Sequence, residues 1–397
     1  MNGVSVVTVN AGSSSLKFCR YRLEADGALH ADARGAVEGI GSAPRMAVSD
    51  GDGKSLVKRD LNASEVRDPS DAVREVAQWL KAHFQDRAAA VGHRFVHGGP
   101  DYAAPVAVDT ATLDRLRAFI PLAPLHQPFN IAAVEAARQY LPGVPQVACF
   151  DTAFHNGHAE LARLIALPWK LYESGVRRYG FHGLSYEYIA SVLPRVAPEI
   201  ARGRVIVAHL GSGASLCALR EGRSVDSTLG FTALDGLCMG TRPGAVDPGA
   251  ILYLFQELKL SAKDVESMLY KQSGLLGISG VSNDMRALLA SDAPRARLAI
   301  EFFVYRAAKE IGALAASLGG LDGVVFTAGI GERSADIRRR ICESCAWLGV
   351  TLDSAANENG GPRLSAPGSK VSAWTIPTDE ELMIARHTCS VLGLAPN

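Results

Sequence analysis

The sequence has no excess of charge, no long apolar run and no paired-cysteine pattern, and each absence excludes a class of protein. Lysine plus arginine (41) equals aspartate plus glutamate (41), so no net charge would draw the chain to nucleic acid or to an anionic membrane surface. No uninterrupted apolar stretch approaches the roughly 20 residues that a bilayer crossing needs. The first ten residues also lack the basic and apolar segments of a signal peptide. We therefore expect a cytoplasmic protein with small-molecule partners and no nucleic-acid or membrane binding.

The seven cysteines are scattered and odd in number, which does not indicate a disulfide framework. Cys342 and Cys345 form one C-x-x-C pair, but no second pair of metal ligands accompanies it. Ordinary helix positions are therefore expected for both residues rather than a zinc or redox site. At 397 residues the chain exceeds what one hydrophobic core usually supports, so two domains are expected.

A strand–turn–strand pattern occurs once in each half of the chain. Apolar residues 4–9 precede a turn of small polar residues and a second strand-like run, 16–22. Two hundred residues later, residues 205–210, a glycine–serine turn and residues 216–220 repeat the pattern. A repeat with two members predicts duplicated domains with a cleft between them rather than a solenoid.

A third apolar run, 323–327, leads into a further glycine turn at 328–333 and then a helix. Small residues leave backbone N–H groups open to an anion, so three such turns favour a nucleotide-phosphate site. Each turn taken singly is more often only a tight turn. Neither the P-loop pattern nor a complete G-x-G-x-x-G is present.

The remaining periodicity predicts helices and one irregular region. Residues 27–67 are rich in glycine, alanine and aspartate with weak periodicity, which indicates meandering strands and loops. The apolar spacing predicts helices over 71–84, 248–257, 261–270 and 296–318.

An arginine flanked by histidine and glycine is the main candidate for binding a carboxylate. Residues 92–99 alternate as a strand, which would place Arg94 and Val96 on one face and His93, Phe95 and His97 on the other. A guanidinium can fork onto two carboxylate oxygens while the apolar neighbour meets a methyl end. The alternative is a half-buried arginine paired with a structural acid.

Acidic residues near the C-terminus suggest a metal ligand. Thr378 and Glu381 have capping-box spacing before an apolar run, which leaves Glu380 free to bind a metal; a solvated first-turn acid is the alternative. Asp151, His155 and His158 could instead form a hydrolase metal cluster. That interpretation is less favoured because the rest of the chain offers phosphate turns and arginines.

Nine motifs, in order, closely resemble the acetate kinase family over residues 4 to about 390. They are Asn10-Ala-Gly-Ser-Ser-Ser-Leu-Lys17, Gly92-His-Arg-Phe-Val-His-Gly-Gly99, Leu122-Ala-Pro-Leu-His126, Phe150-Asp-Thr-Ala-Phe-His155, Arg178-Tyr-Gly-Phe-His-Gly183, His209-Leu-Gly-Ser-Gly213, Met239-Gly-Thr-Arg242, Gly329-Ile-Gly-Glu332 and Thr378-Asp-Glu-Glu-Leu382. The resemblance implies an α/β fold of duplicated ribonuclease H-like domains, of the actin, Hsp70 and sugar-kinase type, with a nucleotide cleft between them. The domains would be residues 1–151 with 384–397, and residues 152–383 for nucleotide binding and dimerisation.

The resemblance also implies a homodimer that uses ATP and Mg²⁺, with Mn²⁺ as the alternative ion, to phosphorylate acetate reversibly by direct in-line transfer. It assigns Asn10 and Glu380 to the metal, and Asp151, Arg94, His182 and Arg242 to catalysis. Val96, Leu125, Phe181 and Ala233, with Arg94, would form the acetate pocket. The nucleotide and its phosphates would be bound by Lys17, His209, Leu210, Gly211, Ser212, Gly213, Asp284, Met285, Arg286, Gly329, Ile330, Gly331, Glu332 and Arg333.

Elementary chemistry agrees with this division. A carboxylic acid with a pKa of about 4.3 is already ionised at neutral pH, so its nucleophilic oxygen needs no strong general base. Two anions must meet, and the transferring group spreads negative charge, so cationic side chains and a divalent metal are the expected tools. Asp151 is then expected to orient an arginine or the water shell of the metal.

Several positions depart from the family pattern. Ala233 stands where proline is usual, and Tyr186 where histidine is usual; Pro243 and Ala245 also differ, and Asp379 and Arg333 each replace asparagine. Removing ring atoms at Ala233 should leave room for propionate. A filament-forming or chaperone-like ATP-binding protein without a small acceptor is the alternative class, but such a protein has no need of two arginines with His182.

Overall fold

The computed structural model describes residues 4–394 and divides into two compact units. The first unit contains the residues up to Phe154 together with those from Asp379 onward, and the second is His155–Thr378. The resemblance implied a boundary at residue 384, inside the C-terminal helix, whereas the two compact units of the structure meet in the chain at Thr378 and Asp379, just before that helix. A helix that packs along one sheet belongs to the unit of that sheet as a whole.

Thirteen strands form two sheets, an eight-stranded sheet in the first unit and a five-stranded sheet in the second. They are β1 Val4–Ala11, β2 Ser15–Leu23, β3 Leu29–Glu38, β4 Arg45–Asp50, β5 Ser55–Asp60, β6 Ala90–Phe95, β7 Val106–Ala107, β8 Gln146–Phe150, β9 Arg204–Leu210, β10 Ala214–Arg220, β11 Arg223–Ser227, β12 Gly323–Thr327 and β13 Ser372–Thr375 within residues 4–394.

The α-helices of the same residues are α1 Pro69–His83, α2 Thr110–Ala118, α3 Gln127–Tyr140, α4 Glu160–Arg163, α5 Trp169–Glu173, α6 Gly183–Val196, α7 Pro248–Gln256, α8 Ala262–Ser267, α9 Gly274–Ser279, α10 Met285–Leu289, α11 Pro294–Leu318, α12 Ala328–Arg333, α13 Ala335–Ser344, α14 Ser354–Glu358 and α15 Glu380–Leu392. Short 3₁₀ turns lie at Ile120–Leu122, Ala153–His155 and Ala346–Leu348, and a π-helical turn at Met268–Gln272.

The sheet of the first unit has the order β5-β4-β3-β2-β1-β6-β8-β7. Strand β2 is antiparallel to both of its neighbours, β1 and β3, whereas β6 and β8 run parallel to β1. The irregular region predicted over residues 27–67 is confirmed as an antiparallel meander, β3 to β5.

The sheet of the second unit repeats this plan. Its order is β11-β10-β9-β12-β13, with two antiparallel pairings followed by two parallel ones. The five strands β3-β2-β1-β6-β8 have the same order and directions. The duplication predicted from the repeated strand–turn–strand pattern is therefore confirmed, and the fold is a pair of ribonuclease H-like α/β domains.

Four predicted helices are present as α1, α7, α8 and α11, with ends shifted by a few residues. The glycine turn predicted for residues 328–333 was wrong, because these residues form α12 directly after β12.

The capping box predicted for Thr378 and Glu381 was also wrong. Asp379 is the N-cap of α15, accepting from the Leu382 backbone N–H, and its carboxylate also pairs with Arg34 (Nη2–Oδ2 2.6 Å).

Apolar side chains from the strands and from α1 and α3 form the main core of the first unit. A second cluster in that unit packs Phe95 and Phe150 against α2 and α3. None of the helices within residues 4–394 combines the length and apolar composition that a bilayer crossing requires.

Candidate active site

Polar side chains lie at the carboxyl ends of three neighbouring parallel strands in the first unit. Asn10 lies near the end of β1, Arg94 near the end of β6, and Asp151 directly follows β8. Because β6 lies between β1 and β8, these three ends meet at one edge of the sheet. Ligands of open α/β sheets bind outside such strand ends.

Arg94 connects the three strand ends through hydrogen bonds. Its Nε donates to Asp151 Oδ1 (2.9 Å) and its Nη2 to Asp151 Oδ2 (2.6 Å), while Nη1 donates to Asn10 Oδ1 (3.2 Å). Burial alone would lower the pKa of Arg94, but the Asp151 and Glu380 carboxylates outweigh it and raise the pKa above its ordinary value. The guanidinium is therefore a permanent, oriented cation. The sequence left open whether Arg94 binds a carboxylate ligand or pairs with an acid of the protein. The acid with which it pairs is Asp151, the residue that was itself expected to orient an arginine.

Helix α15 brings Glu380 to this cluster. Gly92 precedes Arg94 by two residues on the same face of β6, and a Cβ on Gly92 would collide with Ile384 and Thr388 of α15. This glycine lets the helix lie directly on the strand, so its first residue, Glu380, comes near Arg94. Burial raises the pKa of Glu380 to about 7, an effect that the Arg94 charge opposes and the Asp151 charge reinforces.

Lys17 and Asn10 face each other across the β1–β2 hairpin. They are directly paired in the antiparallel register, a position in which Cβ atoms lie roughly 5 Å apart. The Lys17 side chain is exposed, and its positive charge acts to lower the pKa of Glu380. The predicted metal and phosphate residues of the first unit are thus brought together.

The oxygen donors of the first unit fit a magnesium ion that keeps most of its water. Asn10 offers an amide oxygen and Glu380 a carboxylate, both hard ligands of the kind Mg²⁺ prefers. Within the described residues, no group of three or more histidine, cysteine or acidic side chains could hold a metal by itself. Mg²⁺ is usually bound by one or two carboxylates together with substrate phosphates and water, so a two-residue site suits it.

Asn130 in α3 is a residue of this region that the sequence did not identify. Its side-chain oxygen accepts from the Val96 backbone N–H (3.2 Å), and its amide nitrogen donates to the Ala11 carbonyl (2.8 Å). It thereby fixes the ends of β1 and β6 to each other. No local pattern marks it, because both contacts come from residues distant in the chain.

The second unit brings His182 and His209 together. His182 is the N-cap residue of α6 and has a left-handed backbone (φ 57°), which is uncommon outside glycine. Its ring stacks on that of His209, with centroids 4.2 Å apart. His182 Nδ1 lies 2.7 Å from Ser215 Oγ, and His209 Nδ1 lies 2.8 Å from Ser185 Oγ.

Gly213 provides the space in which His182 and Arg242 approach each other. A Cβ built on Gly213 would lie 2.7 Å from Arg242 Nη2 and 3.3 Å from His182 Nε2. Arg242 Nη1 donates to the Ala233 carbonyl (2.7 Å). A guanidinium and an imidazole nitrogen therefore converge beside a turn that has no side chain, an arrangement suited to an anion.

A cavity of about 440 Å³ in the second unit contains most of the predicted nucleotide residues. Its volume lies within the usual range for small-molecule sites. The predicted residues that line it are Gly211, Ser212, Asp284, Met285, Arg286, Gly329, Ile330 and Arg333, and the additional lining residues are Asn283, Leu289 and Ser334.

Five predicted nucleotide residues of the second unit lie outside the cavity lining. His209 and Leu210 are buried at the end of β9, and Gly213 adjoins Arg242. Gly331 is buried in α12, and the Glu332 carboxylate accepts from the Ala328 backbone N–H (2.8 Å) and the Thr378 backbone N–H (3.2 Å). Glu332 therefore connects the start of α12, where Ala328 has a left-handed backbone (φ 63°), to the segment at Thr378.

Arg338 is a second residue that the sequence did not identify. It is 1% exposed, and its Nη1 donates to the carbonyls of Gly331 (3.0 Å) and Glu332 (2.8 Å). Its Nε and Nη2 donate to Asn357 in α14 (2.9 and 2.6 Å). Arg338 thus fixes α12, which borders the cavity, to the body of the unit.

The histidines of the hypothetical hydrolase cluster are held by hydrogen bonds within the second unit. His155 Nδ1 and His158 Nε2 both contact Ser224 Oγ (2.8 and 2.7 Å), and His155 Nε2 contacts the Phe181 carbonyl. Burial lowers the pKa of His158 to about 3. Asp151 is occupied by Arg94, so the three residues do not form a metal centre.

The predicted acetate-pocket residues are apolar and largely enclosed. Val96 is 6% and Phe181 2% exposed, while Leu125 and Ala233 are half-buried. Val96 and Leu125 belong to the first unit, and Phe181 and Ala233 to the second.

Comparison with known proteins gives a match along nearly the whole chain. A sequence model of the Acetokinase family matches residues 5–386. The chain is 54% identical to an acetate kinase of Nitrobacter hamburgensis (98% of this chain, 96% of the relative) and 52% identical to one of Rhizobium meliloti (99% of each). Among solved structures it is similar to a propionate kinase of Francisella tularensis (TM-score 0.90, 35% identity, 98% and 100% coverage). An acetate kinase of Porphyromonas gingivalis is also similar (TM-score 0.86, 36% identity, 98% and 100% coverage).

Proposed function

Because the chain belongs to the acetokinase family, we propose that it transfers a phosphoryl group reversibly between ATP and acetate, giving acetyl phosphate and ADP. The observation that carries the proposal is the match over residues 5–386, with 54% identity to an acetate kinase. The oriented cations Arg94 and Arg242 agree with it, since a filament or chaperone module has no acceptor carboxylate to neutralise.

In the proposed reaction, Arg94 binds and orients the carboxylate of acetate. Two of its nitrogens are held by Asp151 and one by Asn10, so the plane of the guanidinium is set before substrate arrives. Pre-orientation of this kind lowers the cost of bringing reactants together. The acceptor oxygen is already ionised at neutral pH, so Asp151 serves Arg94 rather than removing a proton.

Arg242 and His182 stabilise the negative charge that spreads over the transferring group. Such donors are worth most when they are fixed in advance, and the hydrogen bonds to Ala233 and Ser215 fix them. Asn10 and Glu380 would hold Mg²⁺, with Mn²⁺ as the alternative ion, and the ion would supply charge neutralisation for the phosphates. Lys17 would contact the same phosphates.

ATP is proposed to occupy the 440 Å³ cavity of the second unit. Gly211, Ser212 and Gly329 offer approach without large side chains, while Arg286 and Arg333 supply positive charge. Asp284 caps α10 and pairs with Arg286 (Oδ2–Nη2 2.6 Å), so it positions that arginine at the cavity. The residues up to Phe154 with those from Asp379 would be the N-terminal domain, and His155–Thr378 the nucleotide-binding and dimerisation domain.

Acetyl hydroxamate formation from acetate, MgATP and hydroxylamine tests the proposal. Wild type should turn over only with acetate present, and Arg94→Ala should lose nearly all of this activity. Arg117→Ala is the matched control, because that arginine is an exposed residue of α2 in the same unit. Absence of acetate-dependent turnover in wild type would refute the kinase function.

Propionate is the second candidate acceptor. Ala233 lacks the ring atoms of the proline that is usual in the family, and a propionate kinase is among the similar structures at TM-score 0.90. One additional methylene changes discrimination by about 1–3 kcal/mol, so both acids would serve as substrates with altered preference.

A homodimer in the cytoplasm is the proposed form of the enzyme. Helix α11 presents Leu298, Phe302 and Tyr305 at 54%, 38% and 61% exposure, and Leu252 and Tyr253 of α7 are similarly exposed. An apolar stripe of this kind marks an interaction surface. Sedimentation equilibrium of wild type and of a Phe302→Glu/Tyr305→Glu variant would test it, with a monomeric variant expected.

A further inference from the structure

Two buried side chains, Tyr186 and Ser215, form a series of hydrogen bonds that ends on the half-buried His182. Ser215 Oγ lies 2.7 Å from His182 Nδ1 and also contacts the hydroxyl of Tyr186. Ser215 and Tyr186 are fully buried, so bulk water does not compete for these bonds. Tyr186 is one of the positions at which the chain departs from the family pattern, and the proposed reaction as described above gives it no role.

The relative acidity of the two hydroxyl groups favours one donor direction for these hydrogen bonds. A phenol, with a pKa of about 10, is a better proton donor than an aliphatic hydroxyl. With Tyr186 as the donor to Ser215, the single proton of Ser215 is left to be donated to His182 Nδ1. A nitrogen that accepts this bond carries no proton, so the neutral imidazole of His182 has its proton on Nε2.

The Nε2 atom lies on the side of the ring nearest Gly213, where a Cβ would lie 3.3 Å from Nε2 and 2.7 Å from Arg242 Nη2. In the second unit, His209 of β9 stacks on His182, and His155 lies edge-on to Tyr186. A second cation stacked on His209 and beside Arg242 would be repelled, which favours the neutral ring of His182 as well.

We propose that Tyr186 is a positioning residue that, through Ser215, holds His182 in the tautomer with its proton on Nε2, aimed at the transferring phosphoryl group. The kinetic part of this inference rests on the proposed kinase function. The tautomer itself is a property of the protein alone.

Two measurements test the inference. In protein labelled with ¹⁵N-histidine, long-range ¹H–¹⁵N spectra should show Nε2 of His182 protonated in wild type and a mixture of tautomers in Tyr186→Phe, with the signal assigned from its loss in His182→Gln. In steady-state kinetics, Tyr186→Phe should lower kcat about fivefold to tenfold, the effect of one hydrogen bond, with KM for ATP within about twofold. Tyr188→Phe, in the same helix, is the matched control and should match wild type in both.

A double-mutant cycle adds a readout that a merely structural tyrosine would not give. If Tyr186 acts through Ser215, Tyr186→Phe should have no further effect on kcat in a Ser215→Ala background. The inference is overturned by Nδ1 protonation of His182 in wild type, by an unchanged tautomer in Tyr186→Phe, or by additive effects in the cycle. If wild type proves inactive on acetate, the kinase function fails while the spectra still decide the tautomer.

Discussion

The guanidinium of Arg94 and the carboxylate of Asp151 form a two-point ion pair between the ends of adjacent parallel strands, with Nε–Oδ1 2.9 Å and Nη2–Oδ2 2.6 Å. Asp151 is 1% exposed, so the pair is shielded from water on the carboxylate side. One buried acid thus holds two of the three guanidinium nitrogens of Arg94.

Asp151→Asn should reduce acetate-dependent kcat on the order of tenfold to a hundredfold, because a charge-assisted hydrogen bond contributes about 1.5–3 kcal/mol. The substitution keeps the shape of the side chain but removes its charge, which loosens Arg94. Hydroxamate assays would measure it against Asp101→Asn, an exposed acid paired with Arg115. A kcat within threefold of wild type would show that Asp151 does not orient Arg94.

Gly213→Ala should displace Arg242, because the new Cβ would lie 2.7 Å from its Nη2. The far end of an arginine can move, so the fold should persist while kcat falls on the order of tenfold or more, as when one preorganised donor is lost. Gly157→Ala is the control, since a Cβ there has open space. Equal activity of the two variants would contradict the convergence of Arg242 and His182 beside Gly213.

Arg338→Gln should lower the free energy of unfolding by about 3 kcal/mol or more, because buried carbonyls lose their donor at roughly 1–3 kcal/mol each. Since Arg338 holds the carbonyls of Gly331 and Glu332, KM for ATP should also rise. Arg339→Gln, an exposed neighbour in α13, should do neither. Urea titration measures the free energy of unfolding, and ATP saturation curves measure KM. A variant as stable as wild type but with a raised KM would show that Arg338 positions the nucleotide site without contributing to stability.

Acid should destabilise the first unit through His93 and His97. Burial lowers the pKa of His93 to about 4 and of His97 to about 3, below the ordinary value of about 6.5. Between these values the unfolded chain binds more protons than the fold, so stability falls as pH decreases from about 6.5, by up to about 1.4 kcal/mol per pH unit for each histidine. Unfolding titrations from pH 7 to 4.5 should show a shallower decline in His93→Gln than in His30→Gln, where the histidine is exposed. If the free energy of unfolding declined equally with pH in the two variants, His93 would not be a source of the acid sensitivity.

Ala233→Pro should shift preference toward acetate. The ring would add atoms at one position of the predicted acetate pocket, so the ratio of kcat/KM for propionate over acetate should fall about tenfold, within the range expected for one methylene. Because the Ala233 carbonyl accepts from Arg242, acetate kcat alone reports any disturbance of that arginine. A ratio in wild type no higher than in the variant would count against the proposed propionate use.

The secondary structure and the duplication were readable from the chain because both depend on local periodicity. Strands β1, β2, β9 and β10 follow the predicted runs closely, and α11 runs over Pro294–Leu318 against a predicted 296–318. Alternation of polar and apolar residues is encoded within each segment. The candidate residues Asn10, Arg94 and Asp151 also followed from motif recognition, and the structure brings them together.

Capping and loop support were not readable in this way. Thr378 and Asp379 are both acceptable N-caps by sequence, and the contact of Asp379 with Arg34, 345 residues away, accompanies its use as the cap. The resemblance assigned Glu332 to the nucleotide, yet its carboxylate accepts from the backbone N–H groups of Ala328, in its own helix, and of Thr378, 46 residues away.

By itself, the sequence determined the two-domain α/β class, the repeated strand–turn–strand units and the family. Tertiary structure alone decided which acid holds Arg94, that Arg338 anchors α12, and that Tyr186 reaches His182 through Ser215. The physical reason is range. Periodicity and propensity act over a few residues, whereas a buried polar group is satisfied by whichever partner the fold places within about 3 Å, and that partner can lie anywhere in the chain.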